Sequence, residues 1–418
     1  MVLQAKVKQW IDHNKDEATR LLQKLVQEGS VQENEEGVQK LVRDHLEKLG
    51  LEVDYWIPYE DEFLNHSYFC ATRTDFSKSP NVVGTWKGTG GGKSIVLNGH
   101  IDVVPAGDLN QWDYDPYSGH IENGKMYGRG VTDMKGGNLS LLLAIQCLKE
   151  SGVKLKGDVL FHSVIEEESG GAGTLAAVLR GYTADAALVP EPTNMKIFPK
   201  QQGSMWFRLK VFGVSAHGGT RYEGVSAIEK AMPVIKTIQK LEKVRNDRVD
   251  DPLYAKTPIP LPINIGKIQG GSWPSSVPDE ILIEGRVGVG PQETLEDVKA
   301  EFEDAMRNIE DEWFEKHPVQ IEWFGAQWLP GSIDLEHELM GILQHRFKEV
   351  LGTEPEIEAS PWGTDGGLLT QVGNTPSIVF GPGVTAYAHY PNEYIELKKV
   401  FQAAEIFALV IYDWCGGE

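Results

Sequence analysis

The sequence predicts an α/β fold in which a discontinuous α/β/α domain is interrupted by a smaller, ferredoxin-like α+β domain. Three observations carry this expectation. The chain has 418 residues, more than one hydrophobic core usually serves. Strand-length apolar runs alternate with helical patterns in the first two hundred residues and again after Pro330. Between these stretches the order changes to strand-helix-strand-strand-helix-strand. The expected boundaries are 1–199 and 329–418 for the larger domain and 200–328 for the insert.

Taken in order, Trp10 to Gly29 and Glu36 to Leu49 place apolar residues at helical spacing (Leu21, Leu22, Leu25, Val26; Val38, Val42, Leu46), and Gly50 supplies a C-cap. Leu51–Trp56, Asn81–Trp86 and Ser94–His100 read as strands, the last two joined by the turn KGTGGGK. That turn imitates a phosphate-binding loop, but Lys87 stands where the first glycine is needed and a strand rather than a helix follows. The pattern continues with a helix over Met134–Gly152, a strand over Asp158–Ile165, a helix over Gly171–Gly181 and a strand over Ala184–Glu191.

In the insert, strands are expected at Ser204–Gly213, Pro262–Gly270, Glu280–Val289 and Val319–Gly325, with helices at Gly224–Val244 and Glu293–Ile309. The larger domain then resumes with a helix over Leu335–Leu351, a short strand at Ile357–Ser360, a buried strand at Pro376–Gly383, and a closing helix over Leu397–Trp414. No repeat of solenoid period is present.

Composition is that of an ordinary globular protein, 41% hydrophobic and 24% charged. The 61 acidic residues outnumber the 40 basic ones, a formal net charge of −21 that repels a phosphate backbone, so nucleic acid is excluded as a partner. The first 26 residues carry a charge every few positions and lack the apolar core of a signal peptide, and no stretch has the length of a membrane span. Cys70, Cys147 and Cys415 are far apart and odd in number. Reduced thiols in a cytoplasmic protein are therefore expected.

Chemistry concentrates where strands are expected to end. His100 and Asp102 lie two apart on a strand, so their side chains leave the same face. A histidine held by a carboxylate is a common metal-ligand arrangement, although a hydrogen-bonded histidine at a strand end explains GHID equally well. Asp133 occupies a glycine-rich turn before an apolar helix, where it could be a ligand or an N-cap. Glu166, Glu167 and Glu168 follow an apolar strand, and Glu191 ends the next one. Like charges gathered at the carboxyl edge of a buried sheet are unfavourable unless a cation relieves them. His389 follows a glycine-rich loop far downstream.

The ordered motifs GHIDVVP, GRGVTDMKGG, EEESGGAG, EPT, SAHGG and AHYPNE resemble the two-zinc amidohydrolases and peptidases that include acetylornithine deacetylase, succinyl-diaminopimelate desuccinylase, aminoacylase and glutamate carboxypeptidase. The resemblance spans nearly the whole chain. It implies a zinc-hydrolase catalytic domain and an inserted lid and dimerisation domain. It further implies two divalent ions, Zn2+ or alternatively Co2+, held by His100, Asp133, Glu168, Glu191 and His389, with Asp133 as the bridge and a cis peptide after it. Asp102 would orient His100, Glu167 would be the general base, Glu166 would support it, and His217 would reach the site of the other subunit of a homodimer to stabilise the oxyanion.

One departure concerns substrate. Relatives hold a substrate carboxylate with an Asn before the Val-Pro of the insert and an Arg ten residues beyond that Pro; here Ser275 and Gly288 stand at those positions, with Arg286 nearby on the same strand face. Ser275, Arg286 and Thr364 are the candidate substrate contacts. The implied reaction is hydrolysis of a small N-acyl amide in the manner of acetylornithine deacetylase. A dipeptidase or carboxypeptidase, or a deformylase of a heterocyclic formamide, is the alternative within the enzyme class, and a non-catalytic binding protein the contrasting one.

Overall fold

A computed structural model describes residues 2–418, which divide into two compact units. The larger comprises residues 2–200, 331–358 and 364–418; the smaller comprises Gln201–Pro330 and Ala359–Gly363.

The larger unit is built on a nine-stranded mixed sheet. Its strands run Glu52–Trp56, Asn81–Trp86, Val159–Val164, Ile95–His100, Ala186–Val189, Ser377–Val379, Ile197–Gln201 and Gly331–Ser332, with Ile357–Ser360 paired to Ile197–Gln201 off this path. The central strands Val159–Val164, Ile95–His100, Ala186–Val189 and Ser377–Val379 are parallel, so their carboxyl ends emerge on one edge. Every residue of Ile95–His100 and of Val159–Val164 is buried, the continuous burial expected of parallel strands covered on both faces. Each buried Val, Leu, Ile or Phe there contributes about 1.5–3 kcal/mol. The covering helices include Val2–Gln27, Gly136–Glu150 and Leu397–Trp414, and the helix over Gly136–Glu150 is buried from Gly136 through Leu148.

The glycine-rich turn after Trp86 does not close a hairpin. Val159–Val164 lies between Asn81–Trp86 and Ile95–His100, antiparallel to the first and parallel to the second, and the turn instead packs under Lys156 and Gly157. The helix anticipated from Met134 begins at Gly136, because Asp133 and Met134 have non-helical backbone angles (φ −126° and −130°). A small sheet of three-residue strands, His120–Glu122, Lys125–Tyr127 and Tyr394–Glu396, carries no periodic signal in the sequence.

The smaller unit has the expected element order. Strands Gly203–Phe212, Ile263–Gly270, Glu280–Val289 and Gln320–Trp328 form an antiparallel sheet in which the second strand pairs the third, the third the first, and the first the fourth. Helices Ala227–Asp247 and Leu295–Arg307 contribute buried Val234, Ile238, Val298 and Phe302, and the sheet contributes Phe207, Leu209, Val211, Ile283 and Val287. The alternation of buried and exposed positions along Gly203–Phe212 is the period-two pattern that makes one face of this sheet apolar. Thr294 caps the second helix through a reciprocal capping box with Asp297. No helix among the described residues is long and apolar enough to cross a membrane.

Candidate metal centre

The carboxyl edge of the parallel strands gathers the polar residues that follow them. His100 ends its strand, 1% exposed, and its main-chain carbonyl accepts a hydrogen bond from Asn138 Nδ2 at 2.6 Å. Gly99 is required for that approach: a Cβ there would lie 1.7 Å from Asn138 Oδ1. His100 Nδ1 lies 2.9 Å from the main-chain carbonyl of Asp102 and 3.6 Å from its carboxylate, so the carbonyl is the nearer group fixing the ring. The Asp102 carboxylate instead accepts the main-chain N–H groups of Glu167 and Glu168, each at 3.2 Å.

Asp133 stands in the turn entered through Gly130 at φ 81°, a left-handed angle suited to glycine. Its two carboxylate oxygens face different histidines. Oδ1 is 3.2 Å from His100 Nε2 and Oδ2 is 3.3 Å from His389 Nε2. Glu168 Oε2 lies 3.0 Å from His389 Nε2, and Glu191 Oε2 lies 3.9 Å from His100 Nε2. The Asp133–Met134 peptide bond is cis.

Glu166 adopts a left-handed backbone (φ 62°), uncommon for a side-chain-bearing residue, and turns the chain so that Glu167 and Glu168 follow at the sheet edge. Its own carboxylate points into a buried network, accepting hydrogen bonds from Arg73, from Gln32 Nε2 at 3.0 Å and from Ser169 Oγ at 2.6 Å.

The electrostatics describe a site short of positive charge. Burial, reinforced by Glu191, raises Glu167 well above the ordinary carboxylate range. Glu191 and Glu168 are likewise raised by burial and by neighbouring carboxylates. Asp133 goes the other way: burial opposes ionisation, but the hydrogen bonds to His100 and His389 hold its carboxyl well below the usual range. His389 is pushed up to about 11 by Asp133 and Glu168. Ligand atoms of His100, Asp133 and Glu168 lie within 4.8 Å of one another, as do those of His100, Glu167 and Glu191. Imidazole and carboxylate donors in this number suit divalent zinc-type ions, whose charge offsets the mutual repulsion of the acids.

The larger unit thus brings together His100, Asp102, Asp133, Glu167, Glu168, Glu191 and His389. Thr364 belongs to the same unit but is 1% exposed, and its hydroxyl accepts the Gly366 N–H at 3.0 Å. His217 and Ser275 meet in the smaller unit, where Gly218 N donates to the Ser275 carbonyl at 2.7 Å. His217 is exposed, and its Nδ1 accepts the Gly219 N–H at 3.1 Å, which leaves the proton of the neutral ring on Nε2. Arg286 lies elsewhere on that unit's sheet, opposite Asn264 on one side and Trp206 on the other.

Two buried acids escaped sequence reasoning. Asp365, pushed up to about 7 by burial, accepts from Thr174 Oγ1 at 2.7 Å, while Asn98 Nδ2 donates to Thr174 Oγ1 at 2.8 Å. Glu393 accepts from the main-chain N–H groups of Gly130, Thr132 and Asp133. An acid directly before a Gly-Gly helix start, and an acid four residues after His389, were the available signals.

Comparison with known proteins accords with this geometry. Residues 96–413 match the model of peptidase family M20/M25/M40. An N-formyl-4-amino-5-aminomethyl-2-methylpyrimidine deformylase from Halalkalibacterium halodurans is 32% identical across 97% of this chain and 96% of its own. An acetylornithine deacetylase from Salmonella heidelberg is 27% identical across 82% of this chain and 85% of its own. Among solved structures, a tripeptidase from Staphylococcus aureus superposes with a TM-score of 0.75 at 23% identity, covering 96% of this chain and 99% of that one, a likeness of fold. The chain belongs to peptidase family M20/M25/M40 and is a metal-dependent amidohydrolase.

Proposed function

We propose that the chain removes the formyl group from a small heteroaromatic formamide, using a two-metal site. The observation that carries the metal reading is the division of the Asp133 carboxylate, with one oxygen toward His100 and the other toward His389. His100 and Glu191 would hold one ion, His389 and Glu168 the other, and Asp133 both; Zn2+ is the ion proposed, with Co2+ a substitute. Such ions acidify a water and polarise the scissile carbonyl.

Glu167 is the proposed base. It is 7% exposed, and Asp102 fixes its main chain. A raised carboxyl pKa suits a group that takes a proton from water and returns it to the leaving amine. His217 is proposed to donate its Nε2 proton to the oxyanion in the site of a second subunit. The exposed apolar residues Ile268 on the edge strand and Ile228 and Met232 on the helix of the smaller unit support a homodimer through that unit. A cytoplasmic location is proposed with it.

The formamide is preferred to an N-acylated amino acid for two reasons. The family's Asn and Arg are replaced by Ser275 and Gly288, and the similarity to the pyrimidine deformylase extends over nearly the full length of both chains. Deacylation of an acetylornithine-type substrate is the second reading, favoured by Arg286, which has no carboxylate in ion-pair range among the described residues and whose pKa burial lowers. A panel of the N-formyl aminopyrimidine, N-acetylornithine and dipeptides, assayed with Zn2+ and Co2+, decides between them. Release of formate alone supports the proposal; faster release of acetate or of free amino acids replaces it.

A further inference from the structure

The segment that carries His389 and the turn that carries Asp133 are tied along their whole length. Tyr394–Glu396 pairs antiparallel with Lys125–Tyr127, and the Glu393 carbonyl accepts the Gly128 N–H at 2.9 Å. Thr132 Oγ1 accepts the Val384 N–H at 2.9 Å. At the centre of this lacing is the Glu393 side chain, 0% exposed. Its Oε2 accepts from Arg129 Nη1 at 2.6 Å and from Gly130 N at 3.0 Å, and its Oε1 accepts from Thr132 N at 2.9 Å and Asp133 N at 3.2 Å.

We infer that Glu393 is a positioning residue that sets Asp133 against His389, and so fixes the spacing of the two ligands of one metal ion. This rests on the two-metal reading above. Four converging donors use both oxygens of the carboxylate, more than holding a buried arginine requires. Asp133 cannot rotate its main chain without breaking these bonds, and His389 lies four residues from the same carboxylate. The His389 backbone is itself left-handed (φ 62°), so the loop relies on such ties to keep its shape. Partners that orient metal ligands typically alter metal affinity 10–100-fold when lost.

The test is metal binding by the full chain, stripped and then titrated with Zn2+ or Co2+, in wild type and in Glu393→Gln. Glutamine offers one acceptor oxygen where the carboxylate offers two, and it turns an NH2 group toward peptide N–H donors. The expected result is two ions per chain in wild type, and in the variant a loss of affinity for one ion of about 10–100-fold while the other binds as in wild type. The metal-free melting temperature falls as well, because buried Arg129 loses its charged partner, and that fall alone does not weaken one ion selectively. A variant that binds both ions like wild type overturns the inference alone. Wild-type protein that binds no ion overturns the two-metal reading and the inference together. If Glu393→Gln does not fold, Glu393→Asp keeps the charge but draws the carboxylate back by one methylene from the Gly130, Thr132 and Asp133 N–H groups; weakened binding of one ion supports the inference and unchanged binding of both overturns it.

Discussion

Arg73 Nε donates to Glu166 Oε1 at 2.8 Å directly beneath the turn that presents Glu167 and Glu168. Arg73 also pairs with Glu35, and both glutamate side chains are fully buried. Burial raises Glu35 to about 7 against the opposing pull of Ser79 and Arg73, and the one guanidinium group lies against both acids.

Replacing Arg73 with Met should therefore be strongly destabilising. Removing one partner of a buried ion pair costs about 3–5 kcal/mol; the remaining bonds from Gln32, Ser79 and Ser169 place the expected loss near the lower figure. Urea unfolding measures it, and kcat should fall as well because the turn bearing the proposed base loses its anchor. Stability within about 0.5 kcal/mol of wild type would show the network to be incidental.

Glu167→Gln keeps the shape of the proposed base and removes its ability to carry a proton. The expected outcome is a fall in kcat of about 10²–10⁴-fold with metal content unchanged. Loss of bound metal together with activity would instead mark Glu167 as a ligand, a role its closeness to His100 and Glu191 also permits.

The site was legible where chain order alone determines position. His100, Glu167, Glu168 and Glu191 follow apolar strands, and because those strands are parallel their ends share an edge. Arg73 was not legible, since residues 65–80 lack any periodicity and their partners lie 38 and 93 residues away. Glu393 and Asp365 were missed because their partners, Arg129 and main-chain N–H groups for the one and Thr174 for the other, lie more than 190 residues away in sequence, as the separations of 264 and 191 show. The neighbour of Ile95–His100 was not legible for a related reason: it pairs with a strand 64 residues later in sequence rather than with the one the turn joins to it.

Metal should stabilise the folded chain measurably. Each ion that binds the native state alone adds about 2.7 kcal/mol at a hundred times its dissociation constant. A thermal melt should shift upward on adding Zn2+ to stripped protein and fall back with a chelator. Hydrolysis should follow the same cycle, and an unchanged midpoint at saturating ion would contradict binding at the carboxylate cluster.

His162 supplies a pH dependence through burial alone. It is fully buried, both ring nitrogens lack hydrogen-bond partners, and burial lowers its pKa to about 3 from an ordinary 6.5. Between those values the unfolded chain binds a proton that the folded chain refuses, so this contribution falls as pH drops below 6.5 and is flat above it. The slope is about 1.4 kcal/mol per pH unit. Compared with His162→Phe, wild type should lose roughly 1.4 kcal/mol more between pH 7.5 and pH 5.5, read from paired urea curves. Parallel losses in the two proteins would mean that His162 is protonated in the fold.

Arg286 separates the two substrate readings. A carboxylate held in a charge-assisted contact contributes about 1.5–3 kcal/mol, equivalent to a KM rise of roughly 10–100-fold when the arginine is removed. If the natural substrate is an uncharged formamide, Arg286→Ala should change KM for the N-formyl aminopyrimidine by less than about threefold, and should not single out N-acetylated amino acids. The measurement is KM and kcat for both substrate types in wild type and variant. A steep rise confined to the N-acetylated amino acid would show that Arg286 captures an α-carboxylate from its shifted position, and the deacetylase reading would then replace the deformylase one.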